Sequence, residues 1–261
     1  SRTKMKCLPS RAQLGALPLA SLTLVGCAEK PEPVSLDPAP TVKSSTELLI
    51  FTRTAGYNHP SIPTGVACVT DLALELGLTA TETKDPTDFT DENLDRFAAV
   101  VFLSTTGDVL DPAGQSAFER YIRSGGAYFG IHAATDTEYE WPWYTGLAGA
   151  QFASHPQIQE AQLVRTNDEF RATAFLPSPW VRTDEWYNFK EISSDIMPVL
   201  MLDESSYEGG TNGTHPAAWY QTYDGGRAFY TAGGHTPESF AEPLFRRHLK
   251  EALAWVIEPQ V

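Results

Sequence analysis

An α/β fold is predicted for this 261-residue chain: a mainly parallel sheet, helices on both faces, and an antiparallel extension in the second half. Three observations point there. Residues 48–51 (LLIF), 98–103 (AAVVFL) and 127–131 (AYFGI) are short, near-continuous apolar runs, as expected of strands buried on both faces. Stretches with apolar residues at helical spacing separate them. The second half is less regular, and Asp224-Gly225-Gly226 reads there as a hairpin turn between two strand-like runs.

Taken in order, residues 48–51 form the first strand and a loop over 52–59 follows. Ser61 and Pro63 mark a helix start. Val66, Val69, Ala73 and Leu76 share one face of that helix, and Gly77 stops it. Residues 78–83 alternate as a strand, ahead of an acidic loop over 85–95, and 98–103 is the second buried strand. Asp111 and Pro112 open a helix that turns Phe118, Tyr121 and Ile122 inward. A Gly125-Gly126 turn leads into the strand 127–131. Beyond it, 159–165, 198–203, 217–223 and 227–232 read as strands, and 180–190 as a loop-like segment rich in acids and aromatics. Pro237 starts the final helix, with Phe245, Leu249, Ala252 and Val256 on one face. The composition, 42% hydrophobic and 20% charged, supports one sizeable core, and with no internal repeat the simplest account is a single domain over 47–258.

The first residues read as an address rather than as fold. Arg2, Lys4, Lys6 and Arg11 make a basic region, with Met5 a candidate start, and 14–26 (LGALPLASLTLVG) is apolar. It ends in Leu24-Val25-Gly26-Cys27, a bacterial lipobox in which Cys27 would be lipidated and become the new N-terminus. Residues 1–27 are thus expected to be a lipoprotein signal with its acceptor cysteine, and 28–46, with four prolines, a disordered tether. Ala28 rather than an aspartate follows the cysteine, which favours the outer membrane or cell surface, with the domain in the periplasm or outside the cell. The membrane partner would be reached through acyl chains, because no internal stretch approaches the ~20 apolar residues of a span.

Removing residues 1–26 takes away four basic residues and no acid, so the formal charge moves from −14 to −18. This leaves no basic stripe for nucleic acid and no polybasic membrane patch, and does not favour a polyanionic substrate. Of the cysteines Cys7, Cys27 and Cys68, only Cys68 stays free in the domain, so no disulfide framework is available. On its helical pattern Cys68 is expected to be a small buried hydrophobe.

The stretch 125–144 organises the functional reading. A buried strand ends in His132, two alanines permit a sharp turn, and a polar, aromatic loop follows with Thr135, Asp136, Glu138, Trp141, Trp143 and Tyr144. Ligands of open α/β sheets bind outside the carboxyl ends of the strands, so this is a candidate rim of a polar-ligand site. His59 and His235 also fall just after strand-like runs, and in a parallel sheet such loops gather at one edge. His155 and His215 lie in loops, and His248, within a helix, is expected at the surface or as a cap. For each histidine the alternative is an imidazole hydrogen-bonded to loop backbone.

Several separated motifs, in order, carry a resemblance. They are Gly130-Ile131-His132-Ala133-Ala134-Thr135-Asp136, Trp141-Pro142-Trp143-Tyr144, Thr183-Asp184-Glu185-Trp186-Tyr187-Asn188-Phe189, Leu202-Asp203-Glu204-Ser205 and Gly233-Gly234-His235. Over about 47–256 the chain resembles the ThuA-like (trehalose utilisation) family. The resemblance implies a flavodoxin-like three-layer fold related to class I glutamine amidotransferases, and a role with sugars, including oxidised 3-keto disaccharides. Where that superfamily carries a cysteine nucleophile at a Gly-x-Cys-x-Gly elbow, this chain has His132, so thiolate chemistry and glutaminase activity are not expected.

On that reading His132 and His235, with Asp184 and Glu185 as carboxylate partners, are the candidate acid–base groups for a small sugar or keto sugar, as a hydrolase or isomerase. Trp186 and Tyr187 beside the two acids could bury and tune them. His59, Asp136, Trp141, Trp143, Trp186 and Tyr187 are candidate substrate contacts, the aromatic rings by stacking on a sugar's apolar face, although core packing and a solvated acidic loop are the plainer alternatives. His59, His132 and His235 could also converge on a metal, with zinc the one they would suit, but no close-spaced ligand pair signals it. A sugar-binding lipoprotein without turnover is the competing expectation.

Overall fold

The computed structural model describes residues 45–258. The signal segment, Cys27 and the tether up to residue 44 lie outside them. Among the described residues no helix is long and apolar enough to cross a membrane.

In chain order the strands are β1 (Glu47–Phe51), β2 (Thr79–Thr83), β3 (Phe97–Leu103), β4 (Ala127–Ile131), β5 (Gln151–Ser154), β6 (Gln159–Arg165), β7 (Trp180–Asp184), β8 (Asn188–Lys190), β9 (Met197–Asp203), β10 (Pro216–Tyr223) and β11 (Gly226–Thr231). The helices are α1 (Ile62–Glu75), α2 (Asp91–Leu94), α3 (Pro112–Arg123), α4 (Pro142–Ala148) and α5 (Pro243–Ile257). Nine strands form one sheet in the order β2-β1-β3-β4-β11-β10-β9-β6-β7. From β2 to β11 the pairs are parallel, and from β11 to β7 they are antiparallel. This is the mainly parallel, flavodoxin-like sheet with its antiparallel extension. The short pair β5 and β8 stands apart.

The apolar runs are continuous because alternate residues feed two cores. Leu48, Ile50, Val101, Leu103, Phe129 and Ile131 pack with Val69 and Leu72 of α1 and Leu249 and Leu253 of α5. Leu49, Phe51, Val100, Phe102 and Tyr128 pack on the other face with Phe118 and Ile122 of α3 and Tyr144 and Leu147 of α4. Burying each such side chain contributes roughly 1.5–3 kcal/mol. Cys68 is buried in the first of these cores, its thiol pushed up to about 11 by burial.

Several elements depart from the sequence reading. Residues 180–190 are two strands, not a loop: in β7 the inward positions are Trp180, Arg182 and Asp184, and the charges are buried as an ion pair of 2.9 Å. The last helix begins at Pro243, since a 3-10 turn over Pro237–Ala241 ends at the extended Glu242. A residue before proline favours that extended backbone, and Pro243 then sits where a helix tolerates it. The acidic loop contains α2, and the aromatic loop after His132 contains α4, with Pro142 in its first turn. His248 is not at the surface. It is fully buried in α5, with Nδ1 2.8 Å from the Ala172 carbonyl and Nε2 3.1 Å from the Thr231 hydroxyl.

Candidate functional site

Parallel pairing puts the carboxyl ends of β1, β3, β4 and β11 along one sheet edge. The loop after β1 brings His59 there, β4 runs directly into His132, and β11 is followed within four residues by His235. The antiparallel extension contributes Glu185 from the link between β7 and β8. One nitrogen or carboxylate oxygen from each of these four residues lies within 4.8 Å of the others.

The local backbone is built for this meeting. His132 has φ +52° at the turn from strand into a 3-10 segment, a conformation that costs a non-glycine residue about 1–3 kcal/mol. Gly130 clears space behind it, because a Cβ there would lie 2.5 Å from the Tyr128 hydroxyl. Gly234 has φ +116°, which turns the chain so that the amides of Gly234 and His235 both donate to Asp184, at 2.9 and 3.0 Å. Ser61, at the start of α1, donates to the Gly234 carbonyl at 3.0 Å instead of capping its own helix.

His132 is fully buried, with Nδ1 2.8 Å from the carbonyl oxygen of Ala232. Its Nε2 lies 3.1 Å from His235 Nδ1 and 3.5 Å from Glu185 Oε2. His235 Nδ1 is 2.9 Å from the same carboxylate oxygen, while Glu185 Oε1 faces His155 Nδ1 at 3.0 Å. The His59 ring stands edge-on to both partners, its centroid 4.8 Å from that of His132 and 5.1 Å from that of His235. Burial, reinforced by the neighbouring His132 and His235, pushes the His59 imidazole down to about 3, so it is neutral at physiological pH. Burial alone would raise the Glu185 carboxyl, but the neighbouring His132 and His235 imidazoles outweigh it and hold the group well below the usual carboxylate range.

These groups open onto a cavity of about 380 Å³. Tyr57, Phe152 and Tyr187 give it aromatic walls, and His59, His155, His235, Glu185 and Asp136 give it polar ones. Tyr187 is held by its neighbours: its ring lies 4.4 Å from that of His132, and its carbonyl oxygen is 2.8 Å from His215 Nε2. The Tyr139 hydroxyl donates to Asp136, yet burial dominates and raises the Asp136 carboxyl above its ordinary value.

The structure brings His59, His132, His235, Glu185, Asp136 and Tyr187 together, and leaves four other candidates elsewhere. Asp184 is fully buried behind the site and accepts hydrogen bonds from Arg182, Ser239 and the amides of Gly234, His235 and Glu185. Its place is under the His235 loop, not in the cavity. Trp186 is fully buried, its indole donating to the Gln159 carbonyl. Trp141 donates to Glu119 and Trp143 to Asp224, and the two rings stack on each other at 5.1 Å. None of the three indoles lines the cavity. Its aromatic walls beyond Tyr187 are Tyr57 and Phe152, which the motif-based reading missed; Tyr57, two residues before His59, was the legible one.

Comparison with known proteins agrees with this architecture. No functionally curated protein matches the chain. A ThuA-like protein of Bacteroides uniformis ATCC 8492 is similar at 23% identity and a TM-score of 0.68, over 84% of this chain and 95% of that one. A ThuA-like protein of Parabacteroides merdae ATCC 43184 gives 17% identity and a TM-score of 0.69, over 82% and 90%. A cytoplasmic protein of Salmonella typhimurium LT2 gives 12% and 0.58, over 80% and 99%. At these identities the likeness concerns the fold alone. The sequence profile of the ThuA family, described as trehalose utilisation, matches residues 47–256, and the chain belongs to that family.

Proposed function

We propose that the cavity is the active site of a carbohydrate-metabolising enzyme that acts on a small sugar or 3-keto sugar by acid–base chemistry. The observation that carries this reading is the convergence of His132, His235 and Glu185 at the base of the cavity, with contacts of 2.9–3.5 Å. Membership of a family described by trehalose utilisation supports a sugar as the substrate class.

The roles follow from position. Forming an enediol from a keto sugar, or expelling a substituent beside its carbonyl, requires a proton to leave carbon and a proton to reach oxygen. His235 is the imidazole that lines the cavity, so it is placed to carry the proton, with Glu185 beside it as the fixed negative charge that steadies its charged form. His132, held by the Ala232 carbonyl, orients both. Asp136 faces the same cavity with its carboxyl raised, while Glu185 is lowered. Two carboxyls pushed apart in this way suit opposite parts, Asp136 donating a proton and Glu185 staying ionised. Tyr57, Phe152 and Tyr187 would take the sugar's apolar face. Asp184 serves as a positioning residue.

The lipobox at Cys27, the basic and apolar segments before it and the proline-rich stretch after it support a lipid-anchored domain outside the cytoplasm. The test of function is turnover of a panel of sugars and 3-keto sugars by the whole chain, its His235→Gln and its Asp136→Asn variants. Turnover that both variants reduce by about 100-fold or more supports the reading. Sugar binding with no turnover in the parent would replace it with a binding protein.

A further inference from the structure

We infer that His59, His132, Glu185 and His235 form a binding site for one first-row divalent transition metal, zinc foremost, with an open coordination position towards the cavity. Four observations carry it. The distances come first. Metal–nitrogen bonds of about 2.0–2.1 Å place neighbouring ligand atoms of a four- or five-coordinate ion about 3–3.5 Å apart. His132 Nε2, His235 Nδ1 and Glu185 Oε2 are separated by 3.1, 2.9 and 3.5 Å, the edges of one face of such a polyhedron.

The second observation is the state of each donor. The Ala232 carbonyl can only accept, so His132 carries its proton on Nδ1 and turns the Nε2 lone pair towards the group. A metal-bound imidazole is ordinarily fixed in this way. Glu185 is arranged alike: Oε2 faces the imidazoles and Oε1 is held by His155, which leaves a single oxygen to ligate. Third, His59 is buried beside the group with an Nδ1 that has no hydrogen-bond partner in the protein. A polar nitrogen left so is costly unless a further group completes the site. Fourth, the supports are rigid. Asp184 clamps the His235 amide, and His132 sits on the strand-to-turn elbow.

The donor set selects the ion. Three imidazoles and one carboxylate suit zinc and its first-row neighbours, whereas magnesium and calcium require oxygen donors throughout. With one carboxylate the bound dication keeps a net positive charge, so the open position takes an oxygen ligand. If the sugar reading above holds, that ligand is the carbonyl or adjacent hydroxyl oxygen of a keto sugar, and with His235 committed to the metal the proton-carrying group left at the cavity is Asp136. The metal site itself does not depend on that reading.

The experiment is metal analysis of the whole chain purified without an affinity tag, followed by zinc titration of chelator-stripped protein against a competing chelator. About one equivalent of metal per chain is expected as purified, and stripped protein should regain it. His132→Gln and Glu185→Gln should each weaken zinc by more than about 100-fold, His155→Gln by about 10–100-fold as the loss of an outer partner, and Trp143→Phe should leave zinc affinity unchanged. Should a variant not fold, cobalt(II) added to the stripped parent gives a second readout, the visible bands of a four- or five-coordinate ion with nitrogen ligands. A chain that holds no first-row metal and takes up none, or variants that bind zinc as tightly as the parent, would overturn the site. Metal bound without sugar turnover would leave the site standing and remove the proposed function; turnover by a chain that takes up no metal would do the reverse.

Discussion

The Nδ1 of His132 and the carbonyl oxygen of Ala232 lie 2.8 Å apart, across the seam between β4 and the end of β11. The contact settles the tautomer of a buried imidazole and directs its other nitrogen to His235 and Glu185. Replacing His132 by Gln keeps a polar group of similar reach but loses the imidazole. Turnover of the responsive sugar is expected to fall by about 100-fold or more, with the far-ultraviolet spectrum unchanged. Wild-type rates in His132→Gln would remove His132 from the chemistry.

Asp184 is expected to matter through stability. Replacing it by Ala takes from buried Arg182 one of its two carboxylate partners, leaving Glu242 at 2.9 Å, and frees the amides of Gly234 and His235. Breaking such a buried pair costs about 3–5 kcal/mol. Urea unfolding of Asp184→Ala should show that loss in the midpoint; a change below about 1 kcal/mol would contradict the clamp.

Acid sensitivity should come partly from α5. Burial pushes the His248 imidazole down to about 4. An unfolded chain binds that proton near pH 6.5, so between about pH 6.5 and 4 the unfolded state holds more protons than the folded one. The contribution of His248 is therefore fully present above about pH 6.5 and falls as the pH drops towards 4, by roughly 3 kcal/mol in all. His248→Gln should flatten the stability profile in that window by about one proton, or about 1.4 kcal/mol per pH unit. An unchanged slope would show that His248 titrates normally.

The aromatic residues divide into two groups with opposite expectations. Trp186→Phe removes the indole hydrogen bond to the Gln159 carbonyl and should cost about 1 kcal/mol of stability without changing sugar affinity. Tyr57→Ala removes an exposed wall of the cavity and should weaken sugar binding by about 10-fold at unchanged stability. Calorimetry on the two variants separates these outcomes.

Why some of this was legible in the sequence and some not is itself physical. Runs such as AAVVFL announce strands covered on both faces, and a histidine in the loop that follows such a parallel strand falls towards the ligand edge. That logic located His59, His132 and His235. It could not distinguish Asp184 from Glu185, neighbours that end up on opposite duties because one closes β7 and the other begins the turn after it. Strand β7 was hidden because Arg182 and Asp184 occupy its inward positions, where an alternating pattern normally shows apolar residues. Tryptophans near acids look like sugar platforms on paper. Here their N–H groups found Glu119, Asp224 and a backbone carbonyl within the fold.

The clamp on the Gly234 and His235 amides joins the antiparallel extension to the parallel half, through a carboxylate in one and backbone amides in the other. The domain therefore cannot be treated as a portable scaffold plus an ornament. A chimera that exchanged only the β7–β8 segment for that of a distant relative would lose its reactive corner, unless the acid and the glycine turn travelled as a set.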